Sequence, residues 1–231
     1  MTAVINADLP VEAKARLVHS RLLATYSTPE WRLPLTGIDE LVSTILSQNT
    51  NDKNRDTAFN ALKNAFPDWE SVRDADPKAV IDAIRPAGLA NQKGPRIQAV
   101  LREISEERGS LDLSFLKTWP VSEAHSWLTR FNGVGPKTAS IVLLFALGLP
   151  AFPVDTHIYR VTGRLGLRPE KMSVEQAHPH LAALFPPDEY GPAHLNLIRL
   201  GREICHARKP NCPACPLTDL CAYYRDVVMR A

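Results

Sequence analysis

Three arrangements of side chains in this sequence are of a kind that does chemistry. The first is the run Asn132-Gly133-Val134-Gly135-Pro136-Lys137. Two glycines two residues apart permit positive φ and a close approach of backbone to a ligand. Pro136 suits the first turn of a following helix. Backbone N–H groups around Gly133 and Gly135 then point outward at a helix N-terminus, a natural anion site. Lys137 falls in that first turn, where the helix dipole disfavours positive charge. A lysine in a locally uncomfortable place is a candidate nucleophile. The second arrangement is Asp155 in Val154-Asp155-Thr156-His157. It suits a helix N-cap, and a capping carboxylate can also serve chemistry. His157 reads as structural. Taken singly, the hairpin could be a plain connector, Lys137 an exposed amine and Asp155 a cap.

The third arrangement is the cysteines. The chain has four, spaced Cys205-x6-Cys212-x2-Cys215-x5-Cys221. Two disulfides would staple only one short loop, so a metal centre is the better reading. Cys₄ zinc and a [4Fe–4S] cluster both suit four sulfurs. Zinc sites commonly show two C-x-x-C knuckles, and only Cys212–Cys215 forms one here. The longer, irregular intervals suit a loop wrapped around a bulkier cubane. Across residues 199–209, Arg199, Arg202, His206, Arg208 and Lys209 stand against Glu203 alone. Such a basic loop could grip a DNA backbone.

The elements that must position these groups read almost entirely at the helical period. Val11–Tyr26 carries Ala13, Leu17, Leu22 and Leu23. The stretch TPEWRLPLTG breaks the helix with prolines and a glycine. Ile38–Gln48 is apolar on one face, and Asp52 is the expected cap of the next helix. Pro67 and Pro77 are expected to open short helices, the second running from Pro77 to Arg85. A longer helix begins at Asn91 or Gln92 with Pro95 in its first turn, and Gly109 stops it. Short helices are expected at Ser114–Trp119 and Ser122–Phe131. Three more follow the glycine turn, at Thr156–Leu165, Ser173–Leu184 and Tyr190–Cys205. Ile141–Leu144 is β-branched enough for a strand, but its place in a capped Ala- and Leu-rich run argues helix. No hairpin alternation occurs, so the fold class is all-α.

Composition sets the outer bounds. At 231 residues and 45% hydrophobic, the chain can fill one large core or two small ones. Its net charge of +2 permits nucleic-acid binding without arguing for it. No run of 18 apolar residues suggests a membrane span, and the first residues lack a secretory pattern. A cytoplasmic monomer is expected.

Taken together, G-V-G-x-K-T-A, V-D-T-H and C-x6-C-x2-C-x5-C resemble endonuclease III, of the helix–hairpin–helix DNA glycosylase superfamily. The resemblance covers about residues 35–225. It implies two all-helical domains flanking a DNA-binding cleft. One is a six-helix barrel over 30–149, and the other joins 1–29 to 150–231 and carries a C-terminal [4Fe–4S] loop. It implies that Lys137 is the Schiff-base lysine and Asp155 the catalytic aspartate, and that Gly133, Val134 and Gly135 hold a DNA phosphate. Gln48 would enter the gap left by a flipped nucleotide, and Leu89 would wedge the opposite strand. Cys205, Cys212, Cys215 and Cys221 would hold the cluster.

The implied activity is a bifunctional DNA glycosylase/AP lyase acting on double-stranded DNA with a damaged base or abasic site. It would remove oxidised pyrimidines and nick 3′ to the site by β-elimination, bound to the nucleoid within the cytoplasm. A monofunctional glycosylase for mismatched or modified pyrimidines, and a non-catalytic binder of damaged DNA, are the alternatives. One departure concerns base preference: Gln48-Asn49-Thr50-Asn51 stands where the best-known members have Q-A-T-D. The segments GSLDL and AFPVDT also resemble plant 5-methylcytosine glycosylases.

Overall fold

The computed structural model describes residues 9–29 and 35–230. They form eleven α-helices joined by short 3₁₀ and π turns, with no strand among the described residues. The chain divides into two compact units, Leu33–Leu149, and Met1–Arg32 with Pro150–Ala231. The break expected between residues 29 and 30 lies at the edge of residues outside the described ones.

The first helix, α1 (Val11–Tyr26), belongs with the second unit. The unit Leu33–Leu149 starts at α2 (Gly37–Leu46), whose Ile38, Leu41, Val42, Ile45 and Leu46 are all buried. Each such side chain withdrawn from water contributes roughly 1.5–3 kcal/mol. The helix stops two residues short of the expected Gln48, because the chain turns left-handed at Asn49, φ +54°. Next comes α3 (Asp52–Ala65). Its cap is Asn51 and not Asp52, since Asn51 Oδ1 accepts from the Asn54 amide at 2.9 Å.

In α4 (Trp69–Asp74) the cap is Asp68, so Pro67 precedes the cap instead of opening the helix. Pro77 does open α5 (Pro77–Ala83), and a 3₁₀ turn, Arg85–Ala87, takes up the remainder of the expected segment. The long helix α6 (Ala90–Arg108) begins at Ala90, before the expected Asn91 or Gln92, which places Pro95 in its second turn. Gly109, φ +74°, ends it.

Beyond a 3₁₀ turn over Ser114–Thr118 lies α7 (Val121–Thr129). Phe115, Trp119, Trp127 and Phe131 pack edge to face there, the Trp127–Phe131 centroids 4.8 Å apart. Then comes α8 (Pro136–Ile141), which runs directly into a π-helix over Val142–Ala146. Ile141–Leu144 is therefore helical, as the flanking pattern requires and β-branching alone does not.

The other unit holds α1, α9 (Thr156–Leu165), α10 (Val174–Ala182) and α11 (Tyr190–Glu203); α11 packs against both α1 and α9, and the Tyr190 hydroxyl donates to the Ala182 carbonyl at the end of α10. Phe152 stacks on Phe185 and meets Tyr190 edge-on, each pair 5.3 Å apart. The C-terminal turn over Tyr224–Val228 is π-helical. No helix among the described residues is long and apolar enough to cross a membrane.

Candidate active site and cysteine loop

The glycine hairpin lies between α7 and α8, and its two glycines have different causes. Gly133 has φ +87°, and a Cβ there would collide with the Arg96 side chain. Conformation and space both require glycine. Gly135 has an ordinary φ of −87° and caps α8, and a Cβ on it would meet nothing within 4 Å. No neighbour in the protein explains its missing side chain. Open space in front of an exposed backbone amide at a helix N-terminus suits an incoming anion. Val134 is buried and anchors the hairpin. Lys137 comes next in the first turn of α8 and is half-buried.

His125 of α7 braces the same turn. Its Nε2–H faces the Pro136 carbonyl at 3.3 Å. A carbonyl only accepts, so this nitrogen carries the proton. Burial pushes the imidazole's pKa down, and the Pro136 hydrogen bond works weakly the other way.

Gln48 is hydrogen-bonded to this hairpin. Its Nε2 donates to the Gly133 carbonyl at 2.9 Å, and its Oε1 receives a long contact from Arg96 Nη1 at 3.5 Å. Leu89 stands apart, 49% exposed, with left-handed φ and ψ of 51° and 31° at the mouth of α6. An exposed leucine in a backbone conformation that side chains disfavour is strain held by its surroundings.

Two residues that matter to this unit escape a reading by motif. Arg96 fills the space beneath Gly133. Lys93 is 1% exposed, and its Nζ donates to the Leu46 and Ala87 carbonyls, both at 2.8 Å. Burial pulls the Lys93 pKa down. Its signal was present in the sequence, because position 93 lies one helical turn before Ile97 on the apolar stripe of α6. Asn51, the departure from Q-A-T-D, uses its side-chain oxygen to cap α3.

In the other unit, Asp155 is the N-cap of α9, and its Oδ1 accepts from the Ile158 amide at 2.7 Å. The approach to it is fixed by two buried histidines. His178 Nδ1 meets the Phe152 carbonyl at 3.0 Å and His194 Nδ1 the Pro153 carbonyl at 2.9 Å. His157 takes a hydrogen bond from Arg160 Nη2 at 3.1 Å, and Arg160 also holds the Gly201 and Cys205 carbonyls.

All four cysteines line one cavity, walled by Leu165, Leu200, Ile204 and Tyr223 and by Arg164. Arg164 Nη1–H donates to Cys205 Sγ at 3.3 Å, and the Cys221 thiol donates to the Arg164 carbonyl at 3.3 Å. Leu217 and Leu220 are fully buried and pin the loop between its last two cysteines. Burial pushes Cys212 and Cys221 up, and Cys215 up to about 11. Among the described residues no three His, Cys, Asp or Glu side chains converge on a single-ion site. Four sulfurs around a largely apolar cavity with one guanidinium are a donor set that fits an iron–sulfur cluster.

An all-helical unit with a glycine hairpin at a helix mouth, together with a unit carrying a four-cysteine loop, is the build of a helix–hairpin–helix repair protein. The family model described as "HhH-GPD superfamily base excision DNA repair protein" matches residues 42–187. That for the "iron-sulfur binding domain of endonuclease III" matches residues 205–221. Endonuclease III of Sulfolobus acidocaldarius is 35% identical over 188 residues, covering 80% of this chain and 82% of that protein. A relative from Arabidopsis thaliana that bears a provisional DNA glycosylase name is 41% identical over 149 residues, 64% of this chain, which spans about half, 51%, of its length. A structure of a trapped endonuclease III–DNA covalent intermediate superposes with a TM-score of 0.80 at 25% identity, covering 93% of this chain and 97% of that one. The chain belongs to the HhH-GPD superfamily of base excision DNA repair proteins and, within it, to the endonuclease III family. Its cofactor is the [4Fe–4S] cluster of that family.

Proposed function

We propose that this protein is a bifunctional DNA glycosylase/AP lyase that removes oxidised pyrimidines from double-stranded DNA and nicks the product 3′ to the abasic site. The single observation that carries the reading is the hairpin. It pairs a glycine that no protein neighbour requires, Gly135, with a lysine in the next turn, Lys137. The related endonuclease III structure is a covalent DNA intermediate, which is what an attacking amine would form.

In this reading the amides of Gly133 and Gly135 bind a phosphate and set the register on the duplex, while the Val134 N–H donates to the Phe131 carbonyl and holds the turn. Gln48 and Leu89 fill the space that the extruded nucleotide leaves. The neutral Lys137 amine attacks C1′ as the C1′–N bond to the base breaks, and the base departs with its electron pair and takes up a proton. Asp155 supplies negative charge against the positive charge developing on the sugar. The amine loses its protons and the ring opens to a Schiff base. Removal of a C2′ proton then expels the 3′ phosphate by β-elimination. Cys205, Cys212, Cys215 and Cys221 would hold the cluster, which orders the basic loop for backbone contact. The protein would act as a cytoplasmic monomer on chromosomal DNA.

The test is a panel of duplexes, each with one lesion, scored separately for base release and for nicking. Borohydride should trap a covalent adduct on an oxidised pyrimidine or an abasic site, and Lys137→Gln should abolish it. Normal trapping by Lys137→Gln would overturn the nucleophile. Base release with neither nicking nor trapping would make the enzyme monofunctional, with water attacking in place of lysine.

A further inference from the structure

Lys93 is fully buried on α6, whose inward face is apolar apart from Lys93 and Gln98. Its Nζ is 2.8 Å from the carbonyl of Leu46, 47 residues earlier in the chain, and 2.8 Å from that of Ala87. Each carbonyl has the same character. Leu46 is the last residue of α2, and Ala87 ends the 3₁₀ turn before Gly88. Terminal carbonyls of helical segments lack partners along the chain and carry the negative end of the dipole. One ammonium therefore caps two segments.

Each capped carbonyl leads into a left-handed turn. Leu46 precedes Ser47, Gln48 and then Asn49 at φ +54°. Ala87 precedes Gly88 and then Leu89 at φ +51°. The backbone of Lys93 closes the second turn as well, because its N–H donates to the Leu89 carbonyl at 2.9 Å. The Gln48 loop is tied on its far side to Gly133, again at 2.9 Å. The Gln48, Leu89 and Gly133 segments are thus joined through hydrogen bonds, with Lys93 the link between Gln48 and Leu89.

We propose that Lys93 is a positioning residue that clamps the Gln48 and Leu89 loops into one rigid wedge, so that both side chains enter the duplex together. This rests on the proposed function, in which Gln48 and Leu89 occupy the opened duplex. An apolar residue of similar length would pack in the same space but leave two buried carbonyls without donors, and the loops would shift separately. Opening a stacked duplex requires both loops at once. A duplex already open at the site requires much less of either.

The experiment compares wild type, Lys93→Met and Lys93→Gln on two DNAs. One is a duplex with a tetrahydrofuran abasic analogue and 2-aminopurine beside it. The other has the same site inside a pre-opened two-nucleotide bubble. Circular dichroism and thermal melting establish folding first. Lys93→Met is expected to bind the closed duplex roughly tenfold more weakly, the loss of about one charge-assisted hydrogen bond. It should also lose most of the 2-aminopurine rise, while binding the bubble as wild type does. Lys93→Gln, which keeps an N–H donor, should recover part of the difference. Equal loss on both DNAs, or none on either, overturns the clamp even if melting falls. If neither variant folds, Lys93 is a folding determinant and the positioning role fails. A wild type that binds neither DNA overturns the glycosylase reading itself, a result separate from the other outcomes.

Discussion

Gly133 and Gly135 are two residues apart and should respond differently to the same methyl group. Gly133→Ala forces a side chain onto φ +87° and into Arg96. It should cost about 1–3 kcal/mol, read as a fall in melting temperature. Gly135→Ala meets no atom and no strained φ. Its expected cost is under about 1 kcal/mol, the difference between glycine and alanine as a cap. Its DNA affinity should nevertheless drop if the proposed phosphate site is right, because the methyl would stand in the open space assigned to the phosphate. Unchanged affinity for an abasic duplex in Gly135→Ala would remove the hairpin from the interface.

His125 provides a pH signature at the same turn. Its pKa in the folded protein lies below the ordinary histidine value, with burial the main cause. The unfolded chain therefore binds the proton more readily. The stability that neutral His125 contributes is complete above its unfolded pKa of about 6.5 and is lost as pH falls towards the folded one. Melting temperature should decline between about pH 7 and pH 5, and His125→Gln should flatten that decline. A parallel decline in the variant would place the titration elsewhere.

Among the elements, the cysteine loop is held to α1 by the ion pair of Arg21 and Asp219. Arg21 Nη2 donates to Asp219 Oδ2 at 2.8 Å, Nη1 contacts Oδ1, and Nη1 also reaches the Pro216 carbonyl at 3.4 Å. The hydrogen bond from Arg21 keeps the Asp219 carboxyl below the usual range. The pair's contribution is present above the unfolded carboxylate pKa, about 4, and is lost only as pH falls through the lower folded value. It is thus separable from the His125 effect. With both partners partly exposed, it is worth about 1 kcal/mol or less. Asp219→Asn should leave the melting temperature nearly unchanged, yet hasten bleaching of the visible cluster absorbance by a chelator several-fold, roughly the Boltzmann factor of that energy. Identical bleaching rates would show that the pair does not restrain the loop. In the other unit, α6 does the equivalent holding through polar side chains on its buried face. Lys93 secures the ends of α2 and the 3₁₀ turn, and Gln98 Nε2 donates to the Val72 and Ala75 carbonyls at 2.9 Å each.

For the whole molecule, two compact units with separate anchoring imply separable stability. Removing iron should expose the amides of the 205–221 loop and of α9 and α11 to hydrogen exchange. Amides of α2 and α6 should keep their protection. Loss of protection throughout would mean that the units unfold as one. That α1 belongs with residues from the far end of the chain is one arrangement that no local pattern conveys.

Local sequence was enough to set the helical class, most helix ends, the hairpin and the cysteine loop. These rest on local physics: a 3.6-residue period, prolines and glycines with fixed conformational preferences, and ligand spacing along one short segment. It misplaced the cap of α3 by one residue, because Asn51 and Asp52 are both good caps and only the backbone shows which one turns extended. Packing in three dimensions was needed to show that Arg96 leaves no room for a side chain at Gly133, that Gln48 bonds to the hairpin, and which carbonyls Lys93 meets inside. Those facts depend on partners as far as 85 residues away in sequence. A lysine on an apolar stripe signals only that something must satisfy its charge. Which carbonyls do so is set by where separate helices end in space, and a helical period carries no information about that.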